Sequence, residues 1–94
     1  MTLTKEQAYE FAQICFCEWM IGKLGKKHIK ELDSLYIPLT GKTFIKYCCD
    51  EDRFKSQKDA LECGNFVKTY FEKFNKLPDD IPDKHIWNIV LKKN

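Results

Sequence analysis

Apolar residues recur along the chain at the spacing of amphipathic helices. Thr4 and Gln7 form a capping-box signature, which predicts a helix over about residues 5–22. One apolar arc of this helix, roughly 100° wide, holds Ala8, Phe11, Ala12, Cys15 and Trp19. More apolar side chains lie outside that arc: Ile14, Phe16, Met20 and Ile21. The first predicted helix is therefore apolar on more than one side.

The second predicted helix follows a break between two glycines, Gly22 and Gly25. Helical spacing resumes after the break, at Ile29, Leu32 and Tyr36. Because proline disfavours a helical conformation in the residue before it, we expect the helix to cover 26–36 and Pro38 to end it.

A third short helix is predicted over residues 41–49, capped by Thr40. It would bury Phe44, Tyr47 and Cys48. The alternative is a small β-hairpin around residues 35–47 that turns at Thr40 and Gly41. Pro38 weakens this alternative, because proline is a poor residue inside a strand.

The fourth predicted helix begins at a Ser56 cap and carries the clearest apolar arc of the chain: Ala60, Cys63, Gly64, Val67, Tyr70, Phe71 and Phe74. Within it, Ala60 and Gly64 lie one turn apart and leave a notch in which a neighbouring helix can cross closely. A Gly inside a helix costs about 1 kcal/mol relative to Ala, so close packing is the expected reason for it.

The last segment begins at residue 84, after a connector over residues 76–83. Its sequence is compatible with a helix or with a strand. Its β-branched residues favour a strand, whereas Asp83 as a cap favours a helix. A lone strand is not stable, so we favour the helix. The pattern as a whole predicts a compact all-α bundle of four to five helices, forming one domain over residues 1–94.

Composition is that of a globular domain, with 44% hydrophobic and 32% charged residues among 94. No run of about 18 apolar residues is found, and Glu6 and Glu10 stand where a secretory signal would be basic and then apolar. We therefore expect a cytoplasmic protein with no membrane partner. The five cysteines are an odd number, which favours buried thiols over a disulfide scaffold.

Metal binding and catalysis are not expected. Histidines and cysteines are numerous enough for a zinc site: Cys15, Cys17, Cys48, Cys49, Cys63, His28 and His85. On a helix, however, Cys15 and Cys17 point about 160° apart, so one ion cannot bind both. Nothing in the pattern brings a thiol and a base together, so we predict no enzyme, no catalytic residue and no cofactor. A small zinc-stabilised domain is kept as an alternative.

Charge is concentrated in one segment although the net charge is only +2. Residues 23–46 carry six Lys against Glu31 and Asp33. One alternative function is therefore a helix-turn-helix regulator that uses this segment to bind DNA, with Lys42, Thr43 and Lys46 towards the groove. The segment contains no arginine, the residue that dominates specific guanine contacts, which disfavours this alternative.

The favoured function is binding to a larger protein or a protein–nucleic-acid complex, as a small accessory or inhibitory protein. A core of this size is not expected to cover every apolar side of the first helix, so we predict that Phe16, Met20 and Ile21 contact the partner. Lys23, Lys26, Lys27 and Lys30 would steer the chain towards an acidic surface. Two alternatives stay open: the first helix is the central one and is wrapped by the others, or it contacts a second copy in a homodimer.

Lysine makes up fifteen of the sixteen basic residues, and Arg53 is the exception. This bias is typical of AT-rich genomes, including those of many phages. A phage-encoded regulator of a host or defence complex, acting in the host cytoplasm, is therefore the concrete form of the predicted function.

Overall fold

In the computed structural model, which describes residues 3–51 and 54–92, the chain forms five helices. They are α1 (Lys5–Met20), α2 (Lys26–Thr40), α3 (Phe44–Glu51), α4 (Gln57–Phe74) and α5 (Lys84–Lys92). No strand occurs in these two described ranges, so the predicted all-α bundle is confirmed and the hairpin alternative around residues 35–47 is wrong. None of the five described helices is long and apolar enough to cross a membrane.

The start of α1 is the capping box that the sequence predicts. The Thr4 hydroxyl accepts a hydrogen bond from the Gln7 amide at 3.1 Å, and the Gln7 side chain accepts one from the Thr4 amide at 3.0 Å. These two bonds satisfy amide groups that have no partner within the helix. The helix ends at Met20, two residues earlier than predicted, and the chain turns away through Gly22, whose φ is +81°.

The central element is α1, which packs against α3, α4 and α5. Towards its N-terminus, the Tyr36 hydroxyl of α2 donates a 2.6 Å hydrogen bond to the Ala8 carbonyl, and Cys48 Sγ of α3 donates to the Ala12 carbonyl at 3.8 Å. Towards its C-terminus, α4 lies against Met20. The other helices therefore cover α1 on different sides along its length.

The end of α2 differs from the prediction, because Pro38 lies inside the helix rather than after it. A proline at this position removes the amide that would bond to the Ser34 carbonyl. Both Ser34 and Pro38 are exposed, so water can solvate that carbonyl. The helix continues to Thr40 and ends where Gly41 adopts a left-handed conformation with φ +77° and donates to the Ile37 carbonyl.

The corner between α2 and α3 is held by Asp33 and not by the predicted Thr40 cap. Thr40 is the last residue of α2, and its hydroxyl donates to the Tyr36 carbonyl at 2.8 Å. The Phe44 amide at the start of α3 donates to Asp33 Oδ1 at 2.7 Å. A side chain eleven residues earlier in the chain thus satisfies one of the first amides of α3.

Close packing of α4 on α1 explains the glycine inside α4. A Cβ added to Gly64 would lie 2.6 Å from the carbonyl carbon and from Cβ of Met20, and would also contact the Met20 carbonyl oxygen. The predicted notch is therefore confirmed. So is the Ser56 cap, whose hydroxyl accepts from the Asp59 amide at 3.2 Å. The predicted apolar arc is only partly buried, because Phe74 at its C-terminal end is exposed.

The last element, α5, is a helix and not a strand. Asp83 precedes it with a φ of +56°, and its carbonyl accepts from the Trp87 amide at 3.1 Å. The helix packs on α1 and buries Ile86, Trp87 and Val90. Hydrophobic burial of these side chains closes the core at the side of α1 that the other helices leave open.

Candidate protein-binding surface

The apolar side chains predicted to contact a partner are in the core. Phe16 is 1% exposed, Met20 is 3% exposed and Ile21 is 4% exposed. The expectation that they are uncovered is therefore wrong, and the alternative of a central first helix describes the structure. The physical reason is that different helices cover successive parts of α1, so side chains outside its main arc are also buried.

Three of the four predicted lysines lie together at the surface. Lys26, Lys27 and Lys30 are exposed on the first two turns of α2. The fourth, Lys23, has a role within the fold, since its ammonium group donates a 2.9 Å hydrogen bond to the Val90 carbonyl near the end of α5. A cation at the C-terminal end of a helix is stabilised by the carbonyl groups that point there.

The start of α2 carries positive charge. Its N-cap residue, Gly25, offers no side-chain acceptor, and no acidic residue lies in its first turn. The first amides of a helix carry partial positive charge, which is normally balanced by acidic or capping side chains. Here Lys26 and Lys27 add full positive charges instead. An anionic group from another molecule would be stabilised at this end of α2.

A shallow groove lies beside these lysines. It lies between the end of α1 and the starts of α2, α3 and α4. Its lining consists of Trp19, Leu24, Lys26, Ile29, Lys30, Ile45 and Gln57. We call this the Trp19 groove. Its apolar part includes the half-buried Trp19, Leu24 and Ile29. The charged side chains among the seven lining residues named above are Lys26 and Lys30.

The Trp19 side chain is held in place by stacking. Its ring centre lies 5.4 Å from that of Phe16, with 22° between the two planes. Because Phe16 is fully buried, it gives Trp19 a rigid support, so little conformational freedom is lost when the exposed part of the indole is covered. Tryptophan is also the residue most enriched among the contacts that dominate binding energies.

Sequence reasoning missed this groove. It placed Trp19 on the core arc of the first helix, and it gave no role to Leu24. A signal was present, since Leu24 is an apolar residue in an otherwise polar break between Gly22 and Gly25. An apolar side chain in such a break is expected either to fold back onto the domain or to contact a partner.

Acidic side chains lie close to the lysines of the segment that joins α2 to α3. Residues 41–43 join α2 to α3, and Lys46 is exposed on α3. Asp50 and Glu51 are exposed on the same short helix, where they would repel phosphate groups. Lys42 is bound to Asp50 in an ion pair of 2.8 Å. The positive charge of Lys42, which was predicted to face DNA, is therefore partly neutralised by Asp50.

The pKa values of Lys42 and Asp50 reflect their pairing. The hydrogen bond to Asp50 raises the pKa of Lys42 above its usual range. The same hydrogen bond lowers the pKa of the Asp50 carboxyl. Both groups are at the surface, so the pair is screened by solvent and salt. It stabilises the charged form of each partner near neutral pH.

The cysteines are spread through the bundle. Cys15, Cys17 and Cys48 are buried, whereas Cys49 and Cys63 are half-buried. The expectation of buried thiols is met by Cys15, Cys17 and Cys48, whereas Cys63, on the apolar arc of α4, is only half-buried because fewer helices cover α4 than α1. In residues 3–51 and 54–92, no group of three or more His, Cys, Asp or Glu side chains is arranged to hold a metal ion.

Comparisons with protein-family models, with curated proteins and with solved structures found no significant match.

Proposed function

We propose that this chain is a small accessory or inhibitory protein that acts by binding an acidic surface of a larger protein. The contact region is the Trp19 groove together with the exposed lysines of α2. In this proposal the protein performs no chemistry itself. It changes the activity of its partner by covering part of the partner's surface.

The observation that carries the proposal is the combination of a supported tryptophan with lysines in one groove. Trp19 stacks on the buried Phe16, and Lys26 and Lys30 line the same groove. Aromatic anchors supply affinity by burying apolar area, and the charged groups around them supply orientation and speed of association. Both components of a protein-binding site therefore lie within one small surface.

The sign of the charges argues for an acidic partner. Lys26, Lys27 and Lys30 are exposed, and they surround a helix start that is itself partly positive. Carboxylate side chains of a partner would meet complementary charge there, whereas a basic surface would be repelled. A nucleic acid is the less favoured partner, because Asp50 and Glu51 lie on α3, the helix that would have to enter the major groove of DNA.

Charge reversal at the groove is the experiment that tests this proposal. A tagged Lys26→Glu/Lys30→Glu variant and the unchanged protein are used in parallel to capture partners from lysate of the cells in which the chain is naturally expressed. The matched control is Lys58→Glu/Lys68→Glu, which reverses two exposed lysines on α4. We expect one acidic protein to be captured by the unchanged protein and by the control, and at least tenfold less by the groove variant.

A second variant tests the apolar component. Trp19→Ala removes the anchor, and we expect it to weaken capture to a similar degree while circular dichroism shows that the helices remain. Equal capture by all four proteins, or no protein that distinguishes the groove variant from the control, would disprove the proposal. A phage origin of the chain and a defence complex as target remain predictions of the sequence alone.

A further inference from the structure

The outer side of α4 carries three aromatic rings that are not needed to close the core. Phe66, Tyr70 and Phe74 follow one another at intervals of four residues, so they lie in a row along the helix. Phe66 is 58% exposed, Phe74 is 51% exposed and Tyr70 is half-buried. The ring centres are 6.0 Å apart between Phe66 and Tyr70 and 4.7 Å apart between Tyr70 and Phe74. We call this row the α4 aromatic face.

The side of α4 that packs in the core is not the side that carries the aromatic face. Ala60, Gly64 and Val67 are fully covered, and they pack where α1 crosses. The aromatic face is rotated from that side by roughly 90°, as follows from about 100° per residue. Exposed apolar rows of this kind are uncommon on monomers and usually mark a contact surface.

Charged residues at the two ends of the aromatic face have opposite signs. Glu62 lies one turn before Phe66, and Lys73 lies one residue before Phe74. In projection, both lie within about 40° of Phe66, on the same edge of the face. Lys73 Nζ sits 5.4 Å from the centre of the Phe74 ring. The face therefore begins with a negative charge and ends with a positive one.

This arrangement is complementary to itself when two copies meet in antiparallel orientation. We infer that the α4 aromatic face binds a second copy of this chain, with the two α4 helices antiparallel about a twofold axis. Phe66 then lies opposite Tyr70 of the second copy, and Glu62 comes next to Lys73 of the second copy. Two identical ion pairs form, as a twofold interface requires.

Orientation follows from the spacing of the charges. Glu62 and Lys73 are eleven residues apart, or about 16 Å along the helix axis. Parallel pairing would put the edge that carries Glu62 and Lys73 on opposite sides of the interface in the two copies, so neither charge would meet its complement. Antiparallel pairing about a twofold axis brings the two charged edges together with opposite signs facing, and the aromatic rings interdigitate beside them. The inference is independent of the Trp19 groove, which lies on other residues.

The interface is expected to be weak. One helix face buries less than the total of about 1,200 Å² that is usual for stable complexes. The dimer should therefore form in the micromolar to millimolar range and exchange rapidly with monomer. Sedimentation velocity over this concentration range measures its dissociation constant.

Charge reversals at Glu62 and Lys73 test the inference sharply. Glu62→Lys leaves two positive charges on the face, and Lys73→Glu leaves two negative ones, so each variant repels itself. We expect each to weaken its own dimer at least tenfold. An equimolar mixture of the two variants should restore dimerisation, because every Lys then meets a Glu across the antiparallel interface. The double variant Glu62→Lys/Lys73→Glu should dimerise as the unchanged chain does.

Matched controls lie on the same helix but away from the aromatic face. Glu72→Lys and Lys68→Glu change exposed residues by the same charge and should leave the dissociation constant within about twofold. Phe66→Ser should weaken the dimer without unfolding the chain, because the Phe66 ring is mostly exposed. Circular dichroism confirms the fold of each variant. A chain that stays monomeric up to millimolar concentration, single reversals that match the controls, or a mixture that fails to dimerise would overturn the inference.

Discussion

The hydroxyl group of Tyr36 donates a 2.6 Å hydrogen bond to the carbonyl of Ala8, joining the middle of α2 to the start of α1. The tyrosine ring is completely buried, and it meets Phe44 edge to face at 5.2 Å between ring centres. A single side chain of α2 therefore contacts two further helices, α1 by a hydrogen bond and α3 by apolar packing.

Removing this hydroxyl should destabilise the bundle without changing its fold. In Tyr36→Phe, the ring packing is kept and only the hydrogen bond to Ala8 is lost. We expect the free energy of unfolding to fall by about 1 kcal/mol. Urea denaturation monitored by circular dichroism measures it. Tyr70→Phe, on the surface of α4, serves as the control and should change stability by less than about 0.5 kcal/mol.

The same residue should make the protein sensitive to alkali. Burial, together with nearby Cys48, Cys15 and Tyr47, raises the pKa of Tyr36 above its usual value of 10.0. Above pH 10 the unfolded chain loses this proton while the folded chain keeps it, so stability should fall as pH rises. The slope for one group is at most about 1.4 kcal/mol per pH unit. Denaturation curves at increasing pH should show a smaller decline for Tyr36→Phe, and equal declines would contradict the prediction.

The crossing of α1 and α4 should not tolerate even one methyl group. Gly64→Ala would improve helix propensity, but the new Cβ would overlap the backbone of Met20. Since backbone atoms cannot move aside easily, we expect a net loss of about 1–3 kcal/mol. Asn65→Ala, at the exposed neighbouring position, is the control and should be neutral or slightly stabilising. Thermal melting of both variants makes the comparison.

The corner between α2 and α3 depends on Asp33 as an acceptor. Asp33→Ala would leave the Phe44 amide without this bond, and we expect a loss of about 1–2 kcal/mol, as for other helix caps. Asp33→Asn keeps an oxygen in place and should recover most of the loss. If the two variants were equally unstable, the negative charge rather than the hydrogen bond would be the important property.

Lys23 should behave differently from the lysines of the Trp19 groove. Lys23→Met keeps the aliphatic chain but removes the hydrogen bond to the Val90 carbonyl, so we expect the free energy of unfolding to fall by about 1 kcal/mol. Capture of the partner should stay unchanged. Lys26→Glu/Lys30→Glu should show the reverse, with stability nearly unchanged and capture lost. Loss of capture in Lys23→Met at full stability would place Lys23 in the binding surface instead.

The helices could be predicted from the sequence because their signals are local. The capping box at Thr4, the Ser56 cap and the apolar spacing within α4 depend on residues close in the chain, and the structure confirms them. The end of α2 could not be predicted this way. Pro38 is tolerated inside the helix because Ser34 and Pro38 both lie on its exposed side, where water can solvate the Ser34 carbonyl, and this exposure is a property of the folded surface.

The candidate site was harder to predict because exposure depends on neighbouring helices. Periodicity shows that Phe16 and Trp19 are apolar positions of one helix, but it does not show which of them other helices cover. The structure buries Phe16 and leaves Trp19 half-exposed, since α1 is covered differently along its length. The four predicted lysines are all exposed, because charged side chains are exposed almost everywhere, although Lys23 also donates a hydrogen bond within the fold.

The central position of α1 has a consequence for how the chain is made. A ribosome delivers α1 early, yet one of its apolar sides finds its covering only in α5, which is delivered after all the other described helices. Until then Met20 and Ile21 belong to a nascent chain with an unfinished core. Chaperones that recognise apolar segments can bind the chain during this interval. The interval ends when Trp87 and Val90 of α5 are buried in the core.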